Sequence, residues 1–339
     1  MGHDTTRRRG PFRALLLGAI AALGLVTIVG SGGGISIGFP PCVGDYCTDR
    51  PTPPLPYAEV QPRWVTVQVG SPATFRVVTE NFTGVLSYQW TRSSDGGSSY
   101  IAIPGATASS WTLAAANLGD DGAIFTVRVR STDGSSRTAS GRLAVSSMPP
   151  VGFADGEFLP GQWTVSPTPN PPGVLASHTE ERVAVGGHPD AFLKMVYQIP
   201  QGAGSAAVVY LHPAAVYDPT SQGAVHVIDY AEDCIVLQDS EHRSVSSNLI
   251  IQQGPRRYAG AGSLDCTSTA WNASPSRAAM TSADFWLIDG PECAAGESCP
   301  DFSAQAAPMT FGFRRIAWGT GGDVVAHGID NWRVSVWRR

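Results

Sequence analysis

The chain has 339 residues and a formal charge of −5, and only 15% of its residues are charged. An acidic chain with no basic stretch excludes a nucleic-acid partner. Its 38 glycines and 26 prolines, set among short β-branched and aromatic runs, exclude a helical bundle and point to turn-rich, all-β structure. The length allows about two domains. Lys194 is the sole lysine, so no phosphate-loop or Schiff-base lysine stands elsewhere.

Residues 1–31 carry a targeting pattern. Arg7-Arg8-Arg9 and Arg13 precede a charge-free run over residues 14–29, and the small residues Ser31-Gly32-Gly33-Gly34 follow. This predicts a signal peptide or, if uncleaved, an anchor in contact with the membrane; the run is short of the ~20 apolar residues that span a bilayer comfortably. Either reading exports the rest to the periplasm, the cell surface or the medium. Residues 32–57 are rich in glycine and then proline and read as a linker. Six cysteines fall in three neighbouring pairs: Cys42 with Cys47, Cys234 with Cys266, and Cys293 with Cys299. Sequential disulfides are the expectation for an exported chain. The rival is a metal site, but the C-x₄-C and C-x₅-C spacings and the lack of adjacent histidines do not match zinc.

Residues 58–146 read as a first domain of seven short strands. Trp64-Val-Thr-Val-Gln-Val69 alternates as a half-buried strand. Phe75 and Val77, then Tyr88 and Trp90, continue the alternation, as do Phe125, Val127 and Val129. Asp95-Gly96 and Asp133-Gly134 are turn signals. In order, Gly70 with Phe75 and Val77, Leu86 with Trp90, and Asp121-Gly122-Ala123 with Phe125 and Val127 resemble strands B, C and F of bacterial immunoglobulin-like, I-set-like domains. The resemblance implies a seven-stranded sandwich in which Val77 and Val127 stand where the family has its disulfide cysteines. Phe125 then replaces the tyrosine of the tyrosine corner. Packing of Trp90 against the two valines is expected to hold the core without the covalent tie.

Ser147-Met148-Pro149-Pro150 reads as a short hinge. Residues 151–339 form a larger second domain, with strands expected over 192–199, 206–212, 223–230, 248–253, 285–288, 310–317 and 329–337. No helical period persists beyond two turns, so a second antiparallel, jelly-roll-like β-sandwich is expected. Phe153-Ala-Asp155-Gly156-Glu157-Phe158 leading to Trp163, with Gly328-Ile329-Asp330-Asn331-Trp332, loosely resembles the first and last strands of carbohydrate-binding, lectin-like jelly rolls. That resemblance implies a structural calcium at Asp330 with Asp155 or Glu157. The alternative is that Asp330 and Asn331 only cap a turn or bond a neighbouring strand.

No catalytic constellation stands out. No histidines have metal spacing, and no Gly-x-Ser-x-Gly elbow occurs. The Asp229-Tyr-Ala-Glu232-Asp233 run invites comparison with laminarinase-like hydrolases, but Val227 stands where their nucleophile must be; surface solvation is the expected role of Asp229 and Glu232. His226 and Tyr230 share one strand face and are candidates for lining a ligand surface, although a satisfied histidine is the plainer reading. Trp271, flanked by Thr269 and Asn272, is the candidate exposed stacking ring, while Trp332 is expected inside. The expectation is therefore an exported, non-enzymatic protein that requires no cofactor. Its partner is a glycan or an envelope protein, and selective binding is placed in residues 151–339.

Overall fold

The computed structural model describes residues 54–168, 177–199, 201–239, 245–272, 276–294, 297, 299–319 and 322–338. The targeting segment and most of the linker lie outside the described residues. So do Cys42 and Cys47, and with them the first of the three expected disulfides. No helix among the described residues is long and apolar enough to cross a membrane.

The N-terminal part is a sandwich of eight strands: β1 (Tyr57–Gln61), β2 (Trp64–Gln68), β3 (Ala73–Glu80), β4 (Leu86–Ser93), β5 (Ile101–Ala102), β6 (Ser110–Leu113), β7 (Ile124–Ser131) and β8 (Ser136–Ser146). One sheet runs β1-β3-β6 and the other β2-β8-β7-β4-β5. The chain entry splits between both sheets, since β1 pairs antiparallel with β3 and β2 pairs parallel with β8. This is the immunoglobulin arrangement, with β3, β4, β7 and β8 as its B, C, F and G strands.

Alternation dictates the core. Ala73, Phe75 and Val77 of β3 point in, while Thr74 and Arg76 point out. Trp90 sits fully buried opposite Val127, and its indole N–H donates to the Ala108 carbonyl at 2.9 Å. Val77 and Val127 are both buried in this cluster, in place of a disulfide. Phe125 fills the tyrosine-corner position as an apolar plug, its ring 5.1 Å from Phe75 and 4.6 Å from Trp111. The hairpin between β7 and β8 turns at Gly134, whose φ of 90° only glycine adopts freely. Asp133 braces that turn by accepting from the Ser135 N–H and the Thr83 hydroxyl.

The C-terminal part adds β9 (Val151–Asp155), β10 (Thr164–Thr168), β11 (Ser177–Gly187), β12 (Asp190–Gln198), β13 (Ser205–Tyr217) and β14 (Val225–Asp239). It continues with β15 (Val245–Gln253), β16 (Arg256–Gly260), β17 (Leu264–Cys266), β18 (Ser276–Met280), β19 (Phe285–Asp289), β20 (Met309–Trp318) and β21 (Val324–Arg338). One sheet follows β10-β13-β20-β15-β16-β19, with β17 beside β15; the other follows β11-β12-β21-β14-β18, with β9 beside β21. All of these pairings are antiparallel. The long β14 and β21 form the spine of the second sheet. Side chains from both sheets share one core that includes Tyr210, Phe311, Phe313 and Trp332. The sequence reading marks the central strands and misses β10, β11, β16, β17 and β18, which are short or rich in polar residues.

Cys234 is bonded to Cys266, and Cys293 to Cys299. The first bond ties the spine strand β14 to β17; the second closes a surface loop. The connector at 147–150 is not a free hinge. Ser146 Oγ donates to the Arg338 carbonyl at 2.6 Å, and Arg338 donates to the Pro149 carbonyl at 2.9 Å. Further along the same contact, Thr66 donates to Asp229 at 2.7 Å and His226 lies 3.0 Å from Asp121.

Candidate functional site

The structure disperses the sequence-predicted site residues. His226 points away from any open surface; its side chain is 8% exposed and its Nε2 faces the Asp121 carboxylate of the N-terminal sandwich. Tyr230 is buried in the C-terminal core, where its hydroxyl donates to Glu232 and lies 3.3 Å from Ser247. Trp271 is half-buried rather than an exposed platform. Its indole N–H donates to the Gly186 carbonyl at 2.8 Å, and its ring meets Phe192 edge-on at 5.3 Å. Trp332 is buried, in line with its strand parity.

Asp330 lies beside Gly156, but the three carboxylates named for calcium do not gather into one ligand cluster among the described residues. Asp155 accepts from the backbone N–H groups of Glu157 and Phe158, each at 2.9 Å, and from the Trp163 indole at 2.7 Å. Glu157 pairs with Arg182 at 2.5 Å on the surface. Asp330 is buried on β21 and accepts from the N–H groups of His188 and Asn331. Its nearby carboxylate is Asp233, which accepts from Asn331 at 2.8 Å and faces His188. Burial pushes the Asp330 carboxyl up, and Asp233 adds to the shift. Calcium needs six to eight converging oxygens. Two of the three carboxylates are already saturated by N–H donors or by arginine, so this set does not fit the ion.

Asp229 and Glu232 lie on opposite faces of β14, as residues three apart on a strand must. Neither has the surface role expected from sequence. Asp229 is held at the contact between sandwiches by Thr66, the Ala279 N–H and the Trp337 indole, at 2.7, 2.7 and 2.8 Å; burial pushes its carboxyl up against those bonds. Glu232 is fully buried. It accepts from Ser247 at 2.8 Å, and its Oε1 lies 2.9 Å from Arg315 Nη1, also fully buried. The angles of that ion pair fall short of a hydrogen bond, and among the described residues no guanidinium nitrogen of Arg315 finds an acceptor.

His327 of β21 lies in the same core, fully buried, with neither ring nitrogen bonded to a described residue. Burial, and then the Arg315 charge, hold its pKa well below the usual 6.5. The folded state therefore carries a neutral imidazole, while the unfolded chain takes up a proton below pH ~6.5. Stability is complete above that pH and falls as the pH drops below it. Asp229 and Asp330, whose carboxyls are raised, act with the opposite sign. The expected result is that the urea midpoint falls between pH ~7.5 and ~5.5, and that His327→Leu flattens this slope relative to the parent chain. Equal slopes in the two chains would remove His327 as the cause.

A roomy cavity lies where the sequence reading placed no binding, on the N-terminal sandwich. It is a groove of about 1120 Å³ across the outer face of β4, β7 and β8, bounded by β1. Strand register sets its floor in rows. Ser87 faces Arg130, Gln89 faces Arg128 and Thr91 faces Thr126. Across β7, Arg128 faces Thr138 and Thr126 faces Ser140. Tyr57 and Tyr100, each roughly half exposed, stand at its margins. Arg128 and Arg130 are exposed, and neither guanidinium makes a hydrogen bond or ion pair with a described residue; Ser87 Oγ reaches only the Arg130 carbonyl, at 3.4 Å. The signal was present in Thr126-Val-Arg-Val-Arg130, where buried valines alternate with outward arginines.

No family model matches the chain, and no curated protein matches it. Among solved structures, the chain is similar to the N-terminal four immunoglobulin domains of Dscam1 isoform 4.44, with 22% identity over 26% of this chain and 20% of that one, and a TM-score of 0.23. A structure concerning Dscam isoform specificity matches at 26% identity over 27% of this chain and 21% of that chain, with a TM-score of 0.22. A marsupial T cell receptor matches at 12% identity over 46% of this chain and 93% of that chain, with a TM-score of 0.21. The chain spans about a fifth of the length of the Dscam structures it matches.

Proposed function

We propose that the chain is an exported, non-catalytic recognition protein of the cell envelope and that its ligand is a glycan. The observation that carries this reading is the wide polar groove on the N-terminal sandwich, floored by hydroxyl, amide and guanidinium groups and flanked by tyrosines. Sugars offer hydroxyls to such donors and acceptors and apolar ring faces to aromatic side chains. The carboxylates that a glycosidase would use lie elsewhere, one fixed between the sandwiches and one buried against Arg315. Two disulfides suit an oxidising compartment. The C-terminal sandwich then acts as a brace, fastened through Thr66, Ser146 and Asp121.

A second reading has its own observation. A more apolar groove of about 590 Å³ lies on the N-terminal sandwich, lined by Ile101, Ile103, Pro104, Trp111 and Leu113, and Ile101 is 74% exposed. Apolar anchors of this kind serve protein partners better than sugars. An array of neutral and acidic glycans, probed with the full-length chain, separates the two. The expected result is retention of at least one glycan class, competed by the free glycan and the same with calcium or a chelator. Retention of no glycan, with capture of an envelope protein that sugars do not displace, would establish the protein reading instead.

A further inference from the structure

We infer that the groove of the N-terminal sandwich takes a linear acidic polysaccharide, one bearing carboxylates along its chain. The inference rests on the glycan reading above and names the ligand's charge and the residues that meet it. The chain as a whole is acidic, yet this groove holds three arginines, Arg63, Arg128 and Arg130, against one carboxylate, Glu59. Glu59 is partly engaged, because it accepts from the Tyr57 hydroxyl at 3.2 Å and lies 4.0 Å from Arg63. Arg128 and Arg130 have no such partner among the described residues. They sit two residues apart on β7, both on the outer face, and so roughly 7 Å apart along the strand. Two parallel guanidinium forks suit successive carboxylates of one extended chain, each held bidentately. The exposed rings of Tyr57 and Tyr100 then offer faces on which sugar rings stack.

Other polyanions fit less well. An acidic protein would need apolar anchors at the centre of its interface, and the rows across β4, β7 and β8 offer none. A nucleic acid would need a basic domain, and the chain carries more acid than base. The groove occupies the first half of β8, whereas the contact with the C-terminal sandwich uses Ser146 at its far end, so both are engaged at once.

Polygalacturonate, neutral dextran and single-stranded DNA, each titrated against the full-length chain, test the inference. Polygalacturonate is expected to bind and to weaken with added salt. The double variant Arg128→Thr with Arg130→Thr is expected to bind it at least tenfold more weakly with an unchanged melting temperature, since both residues are exposed and threonine suits a strand. Glu59→Gln, which removes the opposing charge, is expected to tighten binding about twofold. Polygalacturonate binding that the double variant leaves intact would overturn the inference, as would equal binding of dextran or of DNA. If neutral glycans bind and polygalacturonate does not, the acidic ligand is wrong and the glycan reading stands. If no glycan binds, both fall.

Discussion

Replacing Glu232 with glutamine is expected to destabilise the C-terminal sandwich by about 3–5 kcal/mol, because it leaves the fully buried Arg315 guanidinium without a counter-charge. The two side chains are inaccessible to water, and the arginine has no hydrogen-bond acceptor among the described residues. Coulomb attraction is thus the main compensation for its desolvation. Glutamine keeps an oxygen for Tyr230 and Ser247, so the variant isolates the charge from the hydrogen bonds. The double variant Glu232→Leu with Arg315→Met is expected to recover most of the loss, since a packed apolar pair of similar volume commonly matches a buried ion pair. Denaturant titration of the three chains decides the matter. A Glu232→Gln loss below ~1 kcal/mol would mean that Arg315 is solvated by a route the ion pair does not supply.

This pair also shows where sequence reasoning stops. Arg315 lies in Phe311-Gly-Phe-Arg-Arg315-Ile-Ala317, and strand parity places it with Phe311 and Phe313 on the inner face. The position was legible, but its partner was not. Glu232 is 83 residues away, and only the pairing of β14 and β20 into facing sheets brings the two together. The surroundings of His226, Trp271 and Asp330 were hidden for the same reason. Each finds its partner across a long separation: Asp121, Gly186 and His188. Composition and motif carry no information about such contacts. The immunoglobulin-like sandwich was legible because its signals are local: inward Phe75 and Val77, Trp90 in the strand that follows, and the Asp121-Gly122 turn into Phe125. The groove was half legible. Arg128 and Arg130 alternate outward in plain view, but the row they complete with Gln89, Thr138 and Ser87 needs the register of three strands.

Trp90→Ala is expected to cost the N-terminal sandwich about 3–5 kcal/mol, the range for truncating a buried aromatic side chain. The side chain is wholly buried, touches the cluster that contains Val77, Val127 and Phe125, and satisfies the Ala108 carbonyl through its indole. A sandwich with the inter-sheet disulfide keeps about 2–4 kcal/mol of unfolded-state restraint when its core is damaged. This one has valines at both positions and keeps none. The cavity left by the indole therefore falls on packing alone, and the loss is comparable to a large share of the 5–15 kcal/mol that stabilises a typical domain. Loss of near-ultraviolet dichroism at a lower urea concentration would register it. The companion variant Trp90→Phe separates the two parts of the effect, because it retains most of the ring volume and loses only the hydrogen bond. It is expected to cost about 1–2 kcal/mol. If Trp90→Ala and Trp90→Phe cost the same, the bond to Ala108 rather than the packed volume between Val77 and Val127 holds the sheets together. Packing of Val77 and Val127 would then not stand in for the missing disulfide.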